Sequence, residues 1–167
     1  MFAKYLAVFF ISMVPLIELR GAIPVAAAWS LMPTDRPVQI VATYLLCIAG
    51  NMLPVPVIYL FARKFLEWGK NRKVIGPPCT FFLVKGSKAG KKLQAKAGKG
   101  LFVALLLFVG IPLPGTGAWT GTLAASLLDM EFKETTAAVM CGVLLAGSIM
   151  LLASLGVLGG LEAFINR

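Results

Sequence analysis

The chain has 167 residues, of which 59% are hydrophobic and only 14% are charged, and its mean hydropathy is +0.87. This composition excludes an ordinary soluble domain and predicts an all-α integral membrane protein with a single membrane domain over residues 1–167. Histidine is absent, which excludes histidine-based nucleophiles and zinc motifs, and the cysteines lack metal-binding spacing. We therefore expect no enzyme active site, metal or other cofactor.

The chain begins with a short apolar arm that a charged break interrupts. The break is PLIELRGAIP (15–24), which places Glu18 and Arg20 between two prolines, and VAAAWSLMP follows it as a second arm. Each charge costs about 2.5–3.5 kcal/mol at the centre of a membrane helix, so the pair marks a functional site. Residues 5–33 are predicted to form a re-entrant hairpin; a cleavable signal peptide is the alternative.

The next segments are a transmembrane helix and a basic connector. Residues 38–62 are uncharged and exceed the roughly 20 residues that cross a bilayer. Prolines 54 and 56 predict a kink in this helix. Residues 63–99 carry eleven of the sixteen basic residues and one acid, so the positive-inside tendency predicts that they are cytoplasmic. A topological loop explains this charge without a nucleic acid partner.

The second half repeats the plan of the first. Residues 101–130 form two short apolar arms around the break PLPGTG (112–117), and residues 135–162 form a second transmembrane helix. A hairpin returns to its own side while a full span changes sides, so the halves are predicted to be an inverted repeat, each a re-entrant broken helical hairpin plus one transmembrane helix. Four plain helices with proline kinks are the alternative.

The two breaks supply the predicted binding or coupling site. The prolines and glycines break the helix and permit tight turns, and the helix that restarts after Gly117 presents N–H groups suited to an anion. Glu18 and Arg20 are too close in sequence to pair on a helix; they could pair in an unwound turn, Arg20 could bind a phosphate, or carbonyl contacts could lock the hairpins. The predicted site comprises Glu18, Arg20, Gly21, Pro24, Pro112, Pro114, Gly115, Thr116, Gly117 and Trp119.

Two stretches resemble a known family. FISMVPLIELRGAIP (10–24) and LFVGIPLPGTGAWTGTLAA (107–125) are similar to the signature stretches of small multidrug export proteins. That family is similar in turn to the DedA superfamily, which implies opposed re-entrant hairpins and, for some members, movement of undecaprenyl phosphate or scrambling of phospholipids. DedA proteins have an acidic Pro-Gly-Glu hairpin first and an arginine-rich hairpin second. Here Arg20 and Pro24 look like the second hairpin, and PLPGTG looks like the first without its acid, which Glu18 would supply.

The resemblance and the residues together predict a multi-pass transporter or flippase of the bacterial inner membrane. Its expected substrate is an anionic lipid phosphate such as undecaprenyl phosphate, with proton or cation coupling through Glu18. A proton-coupled exporter of cationic drugs is the first alternative, and a non-transporting scaffold is a further one. The expected partners are the lipid bilayer and a second copy in a homodimer, and no nucleic acid is expected.

Overall fold

The computed structural model describes residues 2–69, 80, 100–113 and 115–165. Most of the predicted basic connector, 70–79 and 81–99, lies outside these residues, as does Pro114. Within the described ranges every regular element is an α-helix, which confirms the all-α prediction. The helices are α1 (Phe2–Met13), α2 (Glu18–Ala28), α3 (Pro37–Met52), α4 (Pro54–Gly69), α5 (Gly100–Gly110), α6 (Ala118–Leu127) and α7 (Phe132–Ile165).

Among the residues that the structure describes, two stretches of helix are long and apolar enough to cross a membrane. They are Pro37–Phe61, which combines α3 with most of α4, and Phe132–Gly156 in α7, each of 25 residues. At the helical rise of 1.5 Å per residue, each is about 37 Å long and exceeds a hydrocarbon core of about 30 Å. The first is interrupted at Leu53, immediately before Pro54, as the prolines there predict.

The first break is shorter than the sequence predicts. Only residues 14–17 are non-helical, and α2 begins at Glu18 and continues through Gly21 and Pro24. The helix persists because the side chains of Leu19, Ala22, Ile23 and Ala26 are all buried, at the i, i+3, i+4, i+7 spacing of one helical face. This packing outweighs the one hydrogen bond that Pro24 removes.

The short turn between α1 and α2 has a strained backbone. Leu16 and Glu18 adopt positive φ angles of 72° and 52°, a left-handed conformation that L-residues with side chains rarely occupy. Such residues persist only where surrounding contacts over-determine them. The turn is therefore held by tertiary contacts and not by its own sequence.

Each pair of short helices forms an antiparallel hairpin. The Lys4 ammonium lies 3.5 Å from the Trp29 carbonyl oxygen, which brings the start of α1 beside the end of α2. In the second half, Leu101 at the start of α5 and Leu128 just after α6 line the same hollow. We call α1–α2 hairpin 1 and α5–α6 hairpin 2.

The long helices run antiparallel to each other and interleave with the hairpins. The Tyr44 hydroxyl donates to the Leu144 carbonyl at 2.9 Å, and the Tyr59 hydroxyl donates to the Met130 carbonyl at 2.5 Å. As the residue number rises along the first long helix, the number of its partner falls, so the two long helices point in opposite directions. The return helix of each hairpin packs against the long helix of the other half, α2 on α7 and α6 on α4. This interleaving brings the tips of the two hairpins together.

Candidate functional site

The Glu18 carboxylate binds the N-terminus of α6, which follows it by a hundred residues in the chain. Its Oε2 accepts from the Ala118 N–H and its Oε1 from the Trp119 N–H, both at 3.1 Å. These are the first two amides of the helix, which have no intrahelical partner, and the positive end of the helix dipole favours a negative charge there. Glu18 is 5% exposed, so it is a buried cap supplied by the opposite hairpin.

The Arg20 guanidinium binds the other side of the same break. Nη2 donates to the Val109 carbonyl at 3.0 Å and to the Ile111 carbonyl at 3.2 Å, and also to the Thr116 carbonyl. Nη1 donates to the Leu113 carbonyl and to the Thr116 hydroxyl. These five oxygens include carbonyls that the end of α5 and the following turn leave without helical partners. A cation is also favoured at the negative C-terminal end of a helix.

Trp119 makes the reciprocal contact to hairpin 1. Its indole N–H donates to the carbonyl oxygen of Met13, the last residue of α1, at 3.1 Å. The ring therefore caps a helix end in the same way that Arg20 caps α5. Each hairpin tip thus provides polar side-chain groups for the broken backbone of the other.

Two threonines complete the turn of hairpin 2. The Thr120 hydroxyl accepts from the Gly117 N–H and donates to the Gly115 carbonyl, both at 2.9 Å. The Thr116 hydroxyl lies within hydrogen-bonding distance of the Ile111 and Leu113 carbonyls, at 3.1 and 3.0 Å. The two threonines therefore satisfy some polar groups of the turn locally. Other carbonyls of the turn bind Arg20, and the first amides of α6 bind Glu18.

Two glycines are required in this turn for different reasons. Gly115 has a φ of +81° with open space around it, so its requirement is conformational. Gly117 is extended, and a Cβ added there would overlap the Glu18 carboxylate. Gly117 is thus a glycine because the carboxylate occupies the volume that a side chain would need.

A small cavity of about 40 Å³, lined in part by charged and hydroxyl side chains, remains where the tips meet. Its lining includes Glu18, Arg20, Thr116, Gly117 and Trp119. This volume has room for about three water molecules. We call this meeting point of the two hairpin tips the junction. In the conformation described, its cavity is too small for a lipid head group.

The structure brings together most of the predicted site residues but not all of them. Glu18, Arg20, Gly115, Thr116, Gly117 and Trp119 line the cavity. Gly21 and Pro24 lie farther along α2 and do not line it, and Pro112 is in the turn but outside the lining. Pro114 is outside the described residues. Glu18 and Arg20 form no ion pair with each other, whereas the Arg36 Nε lies 3.5 Å from the Asp35 carboxylate.

The sequence predicts that main-chain N–H groups and carbonyls take part in the site, but it does not identify which carbonyls they are. The carbonyls of Met13, Val109, Ile111 and Leu113 belong to residues with apolar side chains. The available signal was general: a helix ending at a buried break leaves carbonyls that need donors, and Arg20 and Trp119 carry donors. In the described parts of the chain, no three His, Cys, Asp or Glu side chains group as a metal site would require.

The fold and the site together define a helical membrane protein. It has two helices long enough to cross a bilayer, and its broken hairpins are joined through a buried carboxylate and a guanidinium. The chain belongs to the family described as "putative small multi-drug export protein", whose family model matches residues 18–149. The match includes the second break and the first signature stretch from Glu18 onward, and it confirms the family resemblance. No significant match was found among curated proteins or among solved structures.

Proposed function

We propose that this protein is a DedA-like transporter, and not an enzyme, that moves an anionic lipid phosphate across the bacterial inner membrane. In this proposal the halves form an inverted repeat and both hairpins are re-entrant. The connector 63–99 is cytoplasmic, so hairpin 1 enters from the outside and hairpin 2 from the cytoplasm.

The contacts between helices support this membrane arrangement. In each half the first arm runs parallel to the long helix. Tyr5 and then Ser12 of α1 form hydrogen bonds with Gln39 and then the Cys47 carbonyl. In the second half, Leu106 and then Gly110 of α5 lie against Gly142 and then Leu145 of α7. The long helices are antiparallel, as an inversion requires. Broken helices that meet at the interface of inverted repeats are the usual substrate sites of secondary transporters.

The observation that carries the substrate class is the pair of donor groups at the junction. The Arg20 guanidinium donates to main-chain carbonyls and to the Thr116 hydroxyl. The first amides of α6 donate to the Glu18 carboxylate. A phosphate offers the same kind of acceptor, suits both an arginine fork and a helix N-terminus, and brings the negative charge that the carbonyls around Arg20 lack. Binding would therefore exchange protein oxygens for phosphate oxygens and open the junction.

The proposed coupling uses Glu18 as the exchanging acid. A protonated carboxyl group has no net charge and offers its acceptors less strongly to the α6 amides. Proton uptake by Glu18 would release these amides to the phosphate, and proton loss would restore the cap. Substrate entry and Glu18 protonation are thus linked through one pair of N–H groups.

A vesicle assay tests the proposal. Liposomes contain a polyprenyl monophosphate in both leaflets, and an impermeant phosphatase added outside hydrolyses only the outer leaflet until flipping renews it. Arg20→Lys keeps the charge but loses the planar fork, so we expect hydrolysis of the protected pool to slow by about tenfold, the factor for roughly 1.4 kcal/mol. Arg36→Lys, at an exposed arginine of the loop before α3, is the matched control and should match wild type.

Two outcomes would contradict this function. One is a wild-type protein that renews the outer-leaflet phosphate no faster than protein-free vesicles. The other is an Arg20→Lys protein that folds and flips as wild type does. Thr116→Val serves as a second variant. Thr116 lines the cavity, and removal of its hydroxyl leaves the charge of Arg20 intact.

Export of organic cations is the second candidate, and one observation favours it. The five oxygens around Arg20 form a receptor that already holds a guanidinium, so a cationic drug could displace this side chain while Glu18 exchanges a proton. Cells expressing the protein would then lose resistance to a cationic dye on Glu18→Gln and keep it on Glu131→Gln, an exposed acid. Resistance unchanged by Glu18→Gln excludes this mechanism.

A further inference from the structure

Hairpin 2 has an apolar groove between its two helices. The groove encloses about 210 Å³, and its lining is almost wholly apolar. Leu101 and Met130 are buried in it, while Ala104 and Phe108 are exposed at its rim. The groove is therefore open to the outside of the protein along its length, and in a membrane protein that surface faces hydrocarbon.

The groove and the cavity at the hairpin tips lie along the same face of α6. Thr120 lines the cavity, and Ala124 and Leu128 line the groove. Their i, i+4, i+8 spacing places these three side chains in one row, each about 6 Å from the next at the helical rise. The cavity and an apolar channel thus lie end to end on hairpin 2.

We infer that this groove, which we name the chain groove, binds the hydrocarbon chain of the lipid whose phosphate enters the junction. The inference rests on the proposed function. An amphiphile with its head at Thr120 extends its chain past Ala124 to Leu128 without leaving the protein. The three alanines of the lining, Ala104, Ala124 and Ala125, keep the channel open. The larger exposed side chains of Val103 and Leu123 lie on the adjoining surface outside it.

The same row of residues sets the direction of the bound lipid. The head lies at the tip of hairpin 2, and the chain points toward the side of the membrane where α5 begins. A lipid held in this way has moved its head inward from the opposite leaflet. The chain groove therefore selects a single extended chain that can follow the head across the midplane.

Photocrosslinking of the full chain in phosphatidylcholine vesicles tests the inference. The probe is a polyprenyl monophosphate with a diazirine in its chain, and labelled residues are located by mass spectrometry. We expect labels on the α5 and α6 residues of the chain groove. Ala124→Phe fills the groove and should lower labelling by about tenfold, since exclusion of about two methylenes already has this effect. Leu123→Phe, on the same helix but outside the groove, should label as wild type.

A second variant keeps the test valid if Ala124→Phe does not fold. Ala104→Phe fills the groove from the exposed rim of α5, with Val103→Phe as its control. The inference is overturned if labels fall elsewhere, if either folded groove variant labels as wild type, or if phosphatidylcholine with a diazirine chain labels the groove equally. It is also overturned if the groove is covered by a second copy, seen as crosslinks between two chains. Equal groove labelling by the matching polyprenyl alcohol retains the chain groove and counts against the phosphate function instead.

Discussion

Glu18 and Arg20 lie two residues apart and bind opposite sides of the same break in hairpin 2. The carboxylate meets the amides that begin α6, and the guanidinium meets the carbonyls that end α5. Each charge therefore lies where the adjoining helix dipole favours it. Charged residues in a membrane segment need partners, and here the partners are main-chain groups that would otherwise be unsatisfied.

The sequence predicts which residues meet but not how they pair. Glu18, Arg20 and PLPGTG stand out because charge, proline and glycine are unusual in apolar segments. The same letters allow an ion pair, a phosphate site or carbonyl contacts, because the choice depends on distances set by helices far apart in the chain. In the structure Arg20 makes carbonyl contacts, and the Glu18 carboxylate in addition caps α6.

Gly117→Ala adds a single Cβ atom and tests whether the Glu18 carboxylate caps α6. The added Cβ would overlap the carboxylate, so Glu18 must leave the α6 amides, and we expect a loss of about 1–3 kcal/mol in the free energy of unfolding. Thermal unfolding in detergent would show a lower midpoint. Gly156→Ala, at an exposed helical position where a Cβ meets nothing within 4 Å, should leave the midpoint unchanged or raise it, because alanine favours a helix more than glycine does. A Gly117→Ala midpoint as high as that of Gly156→Ala would refute the cap.

The two breaks differ in how far local sequence determines them. The second break contains prolines and glycines, so its position at residues 111–117 follows from backbone chemistry. The first has no glycine in the turn and uses positive φ at Leu16 and Glu18. Burial of one face of α2 and the contacts of Glu18 impose that geometry, and local rules therefore predicted a longer break than the one observed.

Helices α5 and α7 approach each other closely. Gly142 of α7 faces α5, where a Cβ would lie 2.7 Å from the Val109 Cβ and 2.8 Å from the Leu106 carbonyl oxygen. Glycine at this position lets the backbones approach, as small residues do in membrane helix packing. This contact also positions Val109, whose carbonyl accepts from Arg20.

Gly142→Ala should therefore weaken both the helix pair and the junction. The obstructing atoms belong to the backbone and to a β-branched side chain, which cannot move aside easily, so we expect a loss of about 1–3 kcal/mol. Thermal unfolding measures this loss, and Gly156→Ala on the same helix is the control. A Gly142→Ala protein as stable as wild type would show that α5 and α7 do not pack this closely.

At the scale of the whole molecule, the halves interleave, with each return helix packed on the long helix of the other half. The sequence predicts helices and their order from hydropathy and length. It does not predict that α6 packs on α4, because such pairings depend on side-chain shapes across residues far apart in sequence. The antiparallel long helices place residues 4 and 35 near one end of the fold and residue 131 near the other.

Cysteine accessibility tests this topology. Single cysteines are introduced by Lys4→Cys, Asp35→Cys and Glu131→Cys, all at exposed positions, into a chain whose native cysteines are replaced. In sealed vesicles of one orientation, an impermeant maleimide should label positions 4 and 35 from the same side and position 131 from the other. Four plain transmembrane helices would instead place 4 and 35 on opposite sides and 131 on the side of 35.

In the proposed arrangement the broken ends of both hairpins meet inside the bilayer, and the depth of Trp119 measures this most directly. Trp119 is made the sole tryptophan by Trp29→Phe and Trp68→Phe, and its fluorescence is quenched by lipids carrying a nitroxide near the head group or near the methyl end of the chain. We predict stronger quenching by the deep label for Trp119, and by the shallow label for a protein that retains only Trp29 at the end of hairpin 1. Shallow quenching of Trp119, equal to that of Trp29, would contradict the account.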